Sequence, residues 1–269
     1  MKGLHNLGNT CYFNSALQCI LQTPQITNYL LTNKYTGDCE FTKEYQILTH
    51  ELWIKQNTGD PTKVLDLFKK RYPQFDNGGQ HDSQEAFLCI LDILDKSLTE
   101  VIRKVFYGVN IQETICKSGK STRKEDFNIV ILYPKPDEEN IVDILKSSQK
   151  WNGIQDYVDN NGKTWNVAAT RTYFDKLPIV LVFSIRMYDS KKKINFVDQL
   201  EIYGKTYKLY STCNHQGSTN GGHYISFSKH KDVWYLKDDA MVQTIENFPN
   251  CDYHYLAFYK SVFNTPTER

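Results

Sequence analysis

Over the first hundred residues the apolar positions recur at helical spacing. Phe13, Leu17, Ile20 and Leu21 form one set, which runs until Pro24, where a missing N–H and the ring stop a helix. Tyr45, Leu48 and Leu52 mark a second helix. A third is predicted after Asp60-Pro61, with Asp60 as cap and Pro61 at the first helical position. The longest begins near Ser83 and sets Phe87, Leu91, Leu94, Leu98, Val101 and Val105 along one face. From about residue 107 the period changes. Segments 107–116, 127–132, 178–187, 206–211, 222–228, 232–238 and 253–260 are rich in Val, Ile, Tyr and Phe and short enough for strands. Residues 134–165 are more polar and read as loop with one helix around Ile141–Lys146. Helices first and strands afterwards predict an α+β fold rather than alternating βαβ units.

Composition sharpens this picture. At 269 residues, with 40% hydrophobic and 23% charged positions, the chain can order and bury a substantial core. No repeat or Pro/Gly-rich linker divides it, so one domain is expected over residues 1–269. A formal net charge of +1 argues against a nucleic-acid surface or a polybasic membrane patch. The longest basic run, Lys191-Lys192-Lys193, reads as a solvated loop. The first residues carry no apolar signal region, and no stretch approaches the roughly 18–20 apolar residues of a membrane span. The seven cysteines are odd in number and scattered, which suits free thiols in a reducing compartment better than a disulfide framework. An intracellular protein, cytoplasmic or nuclear, is the expectation, with nothing demanding more than a monomer.

One segment carries concentrated chemistry. In Gly3-Leu4-His5-Asn6-Leu7-Gly8-Asn9-Thr10-Cys11 a Gly- and Asn-containing loop runs into the first helix, with Thr10 as N-cap and Cys11 in the first turn. The positive potential of a helix N-terminus favours a thiolate and lowers a cysteine pKa. Free backbone N–H groups there can also donate to an oxyanion beside the sulfur, and Asn6 can add a side-chain amide. Taken alone, Cys11 can equally be one buried thiol among seven. A nucleophile needs a base, and His223 stands out among seven histidines because Gly221-Gly222 precede it and a strand follows. The next strand ends in Asp238-Asp239, which can set a carboxylate beside the imidazole. A His and an Asp on a hairpin are also compatible with a surface ion pair.

These residues bear a resemblance. Gly3 to Ser15, continued by Leu17-Gln18-Cys19-Ile20-Leu21-Gln22-Thr23-Pro24, resembles the cysteine box of the ubiquitin-specific proteases. Gly221 to Phe227 with Trp234 to Asp239 resembles their histidine box, and Gly79 to Phe87 their acidic motif. Leu177 to Arg186 resembles the strand before their first blocking loop, and Ser211 to Gly221 their second blocking loop, a mobile lid. The resemblance implies a papain-like fold: a mainly helical thumb (1–106), reduced fingers with an insertion zone (107–177) and a palm sheet (178–262). It implies Cys11 as nucleophile, His223 as general base and then acid, and Asp238 as the orienting carboxylate. Asn6 would supply an oxyanion donor, assisted by Asp239. Asp82, Gln80, Gly221, Gly222 and Tyr224 would line the channel for a ubiquitin tail, Asp82 doubling as a helix cap. The implied partners are ubiquitin and ubiquitinated proteins, and the implied reaction is thioester-mediated cleavage after ubiquitin's last glycine. Another ubiquitin-like modifier, or a ubiquitin-binding pseudoenzyme, stays open at this stage.

One departure is visible. Many members hold zinc in the fingers with two Cys-x-x-Cys knuckles. The first here reads Cys116-Lys117-Ser118-Gly119, and the second, near residues 157–161, has no cysteine. No metal and no cofactor are therefore expected.

Overall fold

The computed structural model describes residues 2–159, 161–186, 193–218, 221–249 and 253–262. Two lysines of the basic triplet and Cys251 fall outside them. Six helices come first: α1 (Cys11–Leu21), α2 (Pro24–Thr32), α3 (Glu40–Trp53), α4 (Thr62–Arg71), α5 (Ser83–Ser97) and α6 (Thr99–Phe106). Every residue of α1 is buried, so it forms the axis of the helical layer rather than an amphipathic face.

Three helix boundaries differ from the sequence reading. Pro24 does not end the helical region but starts α2, where its fixed φ suits the first turn and its missing N–H costs nothing. Asp60 does accept the Thr62 N–H at 3.0 Å, yet α4 begins at Thr62 and Pro61 takes the cap position. The long helix divides at Leu98, whose backbone leaves the helical region. Just before it, Ser97 Oγ donates back to the Ile93 and Leu94 carbonyls, a competition that weakens a helix end. The break lets Ile102, Val105 and Phe106 of α6 face the core.

The strands follow in two main sheets. β1 (Gly108–Cys116), β2 (Gly119–Phe127), β4 (Asn152–Ile154) and β7 (Ala168–Lys176) form the fingers in the order β2-β1-β7-β4. The palm carries β3 (Val130–Leu132), β8 (Val180–Ile185), β9 (Gln199–Ile202), β10 (Lys205–Ser218), β11 (Gly221–His230), β12 (Val233–Asp238), β13 (Met241–Ile245) and β14 (His254–Ser261). Its main path is β13-β12-β11-β10-β14-β8-β3, with β9 on β10. Helix α7 (Ile141–Ser148) stands where the sequence places one, while β4 and the small pair β5 (Tyr157–Val158) and β6 (Thr164–Trp165) add structure to a segment read as loop.

Strand alternation explains the palm's two cores. Val180, Val182, Leu256 and Phe258 point into the helical layer, while Leu181, Phe183, Ala257 and Tyr259 point to the other side with Ile141, Ile144 and Leu145 of α7. At β8 and along most of β14 the sheet is buried on both faces, which fixes their register and makes them a firm base for the site. Among the described residues, no helix is long and apolar enough to cross a membrane.

The fingers are held by polar side chains. Glu113 of β1 sits almost buried, ion-paired with Lys120 and with Arg171 at 2.6 Å, and Tyr173 donates to it at 3.2 Å. Lys120 first, then Arg171, hold its carboxyl down to about 2. At the tip, Cys116 Sγ meets Ser118 Oγ at 2.8 Å, and Ser121 Oγ meets Tyr157 at 3.2 Å. Asp159 accepts the Trp165 indole N–H at 2.8 Å. One thiol among hydroxyls and a carboxylate already engaged does not fit a four-thiolate zinc site.

Candidate active site

The loop before α1 turns on two left-handed residues, Gly8 and Asn9, with φ of 95° and 52°. Thr10 stands at the cap position but does not cap. Its Oγ1 accepts the Leu7 N–H at 2.9 Å and donates to Asn6 Oδ1 at 3.2 Å. The first-turn donors of α1 are thus left for the thiol. The backbone amides of Tyr224, Tyr12 and Cys11 itself each act to lower the Cys11 pKa.

These donors do not yield the low pKa expected from the helix N-terminus. Cys11 is 3% exposed, and burial pushes its thiol upward, with the nearby Asp239 charge adding to the rise. Desolvation outweighs three N–H groups, so the thiol in this arrangement is neutral at pH 7. A thiolate must be made by a base.

His223 and Asp238 are brought together. The imidazole Nε2 lies 2.6 Å from Asp238 Oδ1, so in the neutral ring it carries the hydrogen and Nδ1 is the basic nitrogen. The backbone amide of the next residue along β11, Tyr224, lowers the Cys11 pKa, and α1 packs on β11, the strand that carries His223. Both side chains are about a third or more exposed, at 42% and 34%, so the pair is open to a substrate.

Asn6 and Asp239 form a second pair. Asn6 Nδ2 donates to Asp239 Oδ2 at 2.7 Å, while its Oδ1 accepts from Gly8 N at 2.9 Å and from Thr10. The amide can therefore face only one way. Asn14, one turn beyond Cys11, donates to the other oxygen of Asp239 at 2.8 Å and to the His5 carbonyl at 3.2 Å. Sequence reasoning passed over Asn14, although its place three residues from the nucleophile puts it on the same end of α1. Asp239 adopts φ 50°, and its carbonyl accepts the Leu4 N–H at 2.9 Å. Gly3 packs so closely there that a Cβ would meet Ala240 O at 2.6 Å.

The proposed tail residues gather around the start of α5. Asp82 caps that helix through Oδ1, at 2.7 Å from Gln84 N and 3.0 Å from Glu85 N. Its Oδ2 accepts from Tyr255 at 2.5 Å and lies 3.8 Å from Arg186 of the same chain, so the capping role is seen and this oxygen already has partners within the chain. Gln80 reaches across to Gly222, whose N–H it accepts at 2.8 Å, so this oxygen is engaged within the chain. At Gly222 a Cβ would meet Gln216 O at 2.5 Å and the His215 ring. Tyr224 is nearly buried and packs on His215 with ring centroids 4.5 Å apart, so it serves the thiol by its main chain and the wall by its ring. The segment read as a second blocking loop is instead strand from Lys205 to Ser218, paired to β11 from Ser211 onward; residues 219–220 lie outside the described ones. The β10–β11 pairing continues to Ser218↔Gly221 because Gly217, at φ 137°, allows the backbones to close up.

Residues 2–259 match the family described as ubiquitin carboxyl-terminal hydrolase. The chain is 24% identical to ubiquitin carboxyl-terminal hydrolase 25 of Arabidopsis thaliana, covering 89% of this chain and 44% of that protein. It is 23% identical to ubiquitin carboxyl-terminal hydrolase Usp2 of Drosophila melanogaster, covering 96% and 34%. It thus spans less than half the length of these relatives. Among solved structures, the fold matches a chain of the SAGA DUB module of Ubp8, Sgf11, Sus1 and Sgf73 bound to monoubiquitin, with a TM-score of 0.85 at 21% identity over 97% of this chain and 69% of that one. A second structure of that module, bound to ubiquitin aldehyde, matches with a TM-score of 0.82 at 21% identity over 97% and 70%.

Proposed function

Because the chain belongs to the ubiquitin carboxyl-terminal hydrolase family, we propose that it is a deubiquitinase that cuts after the C-terminal glycine of ubiquitin through a thioester on Cys11. The observation that supports this reading is the set of groups on the elements at the head of α1: the Cys11 thiol in the first turn, a His223–Asp238 pair at 2.6 Å on the strands beside α1, and an amide fixed at Asn6.

The chemistry follows from the groups present. His223 Nδ1 takes the Cys11 proton, and Asp238 stabilises the imidazolium through Nε2. The thiolate attacks the glycine carbonyl carbon, and the oxyanion accepts hydrogen bonds from Asn6 Nδ2 and the first-turn N–H groups of α1. His223 returns the proton to the departing amine, leaving the thioester. Water, deprotonated by His223, then attacks the thioester carbon and releases the carboxylate and Cys11 thiol. Asp239 orients the Asn6 amide. Asp82 offers a carboxylate to a basic tail residue, and Gly221 and Gly222 leave room for a tail without side chains. Ubiquitin is the proposed partner, engaged as a monomeric enzyme in the cytoplasm or nucleus, which suits the free cysteines of the described chain.

Turnover of a ubiquitin–fluorophore amide tests this. Wild type should release the fluorophore and Cys11→Ala should not; release by both would remove Cys11 from the mechanism.

A further inference from the structure

Alternation along β12 turns Lys237 away from its neighbour Asp238 and into the face packed on α1. There it is 3% exposed. Its Nζ donates to Gln18 Oε1 at 2.6 Å and reaches Gln22 Oε1 at 3.5 Å. Among the described residues no carboxylate pairs with it. Its titratable neighbours are Cys19 on α1 and His230 on β11. An ammonium without a counter-ion in a packed interior is costly, and an apolar side chain there would avoid that cost.

The two amides are oriented from behind. Gln18 Nε2 donates to Lys2 O at 3.2 Å, and Gln22 Nε2 donates to Lys229 O at 3.1 Å, so both present oxygen to the lysine. The node joins the three elements that carry the chemistry. Cys11 heads α1, Asp238 ends β12, and Lys229 lies on β11, the strand of His223. On β11, Ser226 pairs directly with Lys237 and has a buried hydroxyl with no hydrogen-bond partner, so the polar contacts of this spot run to α1 and not across the ladder.

We propose that Lys237 is a positioning residue for the reaction at Cys11: gripped by Gln18 and Gln22, its buried amine fixes β12 against α1 and so holds Asp238 on His223. The inference rests on the function proposed above. Loosening β12 lengthens the 2.6 Å contact between Asp238 and His223 and frees the imidazole to turn, which slows the chemical step while leaving substrate binding in place.

The test is ubiquitin–fluorophore hydrolysis from about pH 5.5 to about pH 9, with melting temperatures, for wild type, Lys237→Met and Gln18→Met. The expected result for Lys237→Met is KM within about twofold of wild type and kcat about tenfold lower. Gln18→Met should give the same signature at smaller amplitude, and it decides the matter if Lys237→Met does not fold. A purely structural lysine would move the melting temperature alone. Unchanged kcat in folded variants of an active wild type would overturn the assignment of Lys237 only. An inactive wild type would overturn the proposed function, and the assignment with it. Stability gives a further readout. Burial lowers the amine from 10.5 to about 7, so between these values the unfolded chain binds the extra proton and wild-type stability rises with pH. Lys237→Met should lack that rise.

Discussion

Replacing Asn6 by alanine should slow the enzyme without weakening its hold on substrate. The side-chain amide is held at both ends: Oδ1 takes N–H and O–H donors from Gly8 and Thr10, and Nδ2 lies 2.7 Å from Asp239. Such a donor needs no reorganisation when charge develops on the substrate oxygen, so its full worth appears in the transition state. One oxyanion donor of this kind is worth about 10²–10³ in kcat, or roughly 2.7–4 kcal/mol. Asn6→Ala leaves Asp239 pinned by Asn14 at 2.8 Å, so the loss reports the amide and not a collapsed carboxylate. The assay is steady-state hydrolysis of a ubiquitin–fluorophore amide. kcat should fall by about two to three orders of magnitude while KM stays within about threefold. A rise in KM at unchanged kcat would mean that Asn6 binds ground-state substrate, and a kcat within about threefold of wild type would mean that it does not touch the oxyanion.

Three further outcomes follow from the same geometry. Gly222→Ala drives a Cβ onto Gln216 O at 2.5 Å, which forces β10 and β11 apart beside His223; kcat/KM should fall at least about tenfold, and an unchanged value would show that the hairpin gives freely. Asp82→Asn keeps an N-cap acceptor but removes the charge beside Arg186, so melting should shift little while KM for ubiquitin rises; the reverse pattern would make Asp82 a cap only. Glu113→Gln should loosen the fingers and lower the melting temperature at neutral pH. The folded carboxyl, held near 2 against an ordinary value of 4.5, contributes stability that is complete above about 4.5 and lost as pH falls toward 2. The two proteins should therefore converge in melting temperature near pH 2, and a constant difference across that range would remove Glu113 as the cause.

The site was legible in the sequence where chemistry and chain order coincide. Cys11 after a Gly/Asn loop, His223 after two glycines and Asp238 at a strand end stood out as candidates, though each kept a plain structural reading until the resemblance joined them. Contacts that need the third dimension were not legible. Asn14 and Lys237 look like an ordinary helical amide and a surface cation until α1 is seen to be buried all round. Cys11 itself was misread in one respect, because a helix N-terminus suggests a lowered pKa while burial, visible only after folding, raises it. Apolar patterning failed at β2, whose Lys120, Arg123 and Lys124 lie exposed on an edge strand, so neither face carries a hydrophobic period. It also failed at Pro24, since proline ends one helix and starts another by the same two properties. Strand β8 was the clearest part of the palm, because a strand buried on both faces needs a nearly continuous apolar run, whereas β9 and β13, exposed at alternate or most positions, went unread.

The central claim concerns one sulfur and one ligand. Ubiquitin carrying a C-terminal electrophile, incubated with the folded protein and read by intact mass and peptide mapping, addresses both. A single ubiquitin adduct on Cys11 is expected, although Cys39, Cys89 and Cys116 are all more exposed. The adduct should disappear in Cys11→Ala. An adduct on one of those more exposed thiols, or none from folded protein, would contradict that expectation.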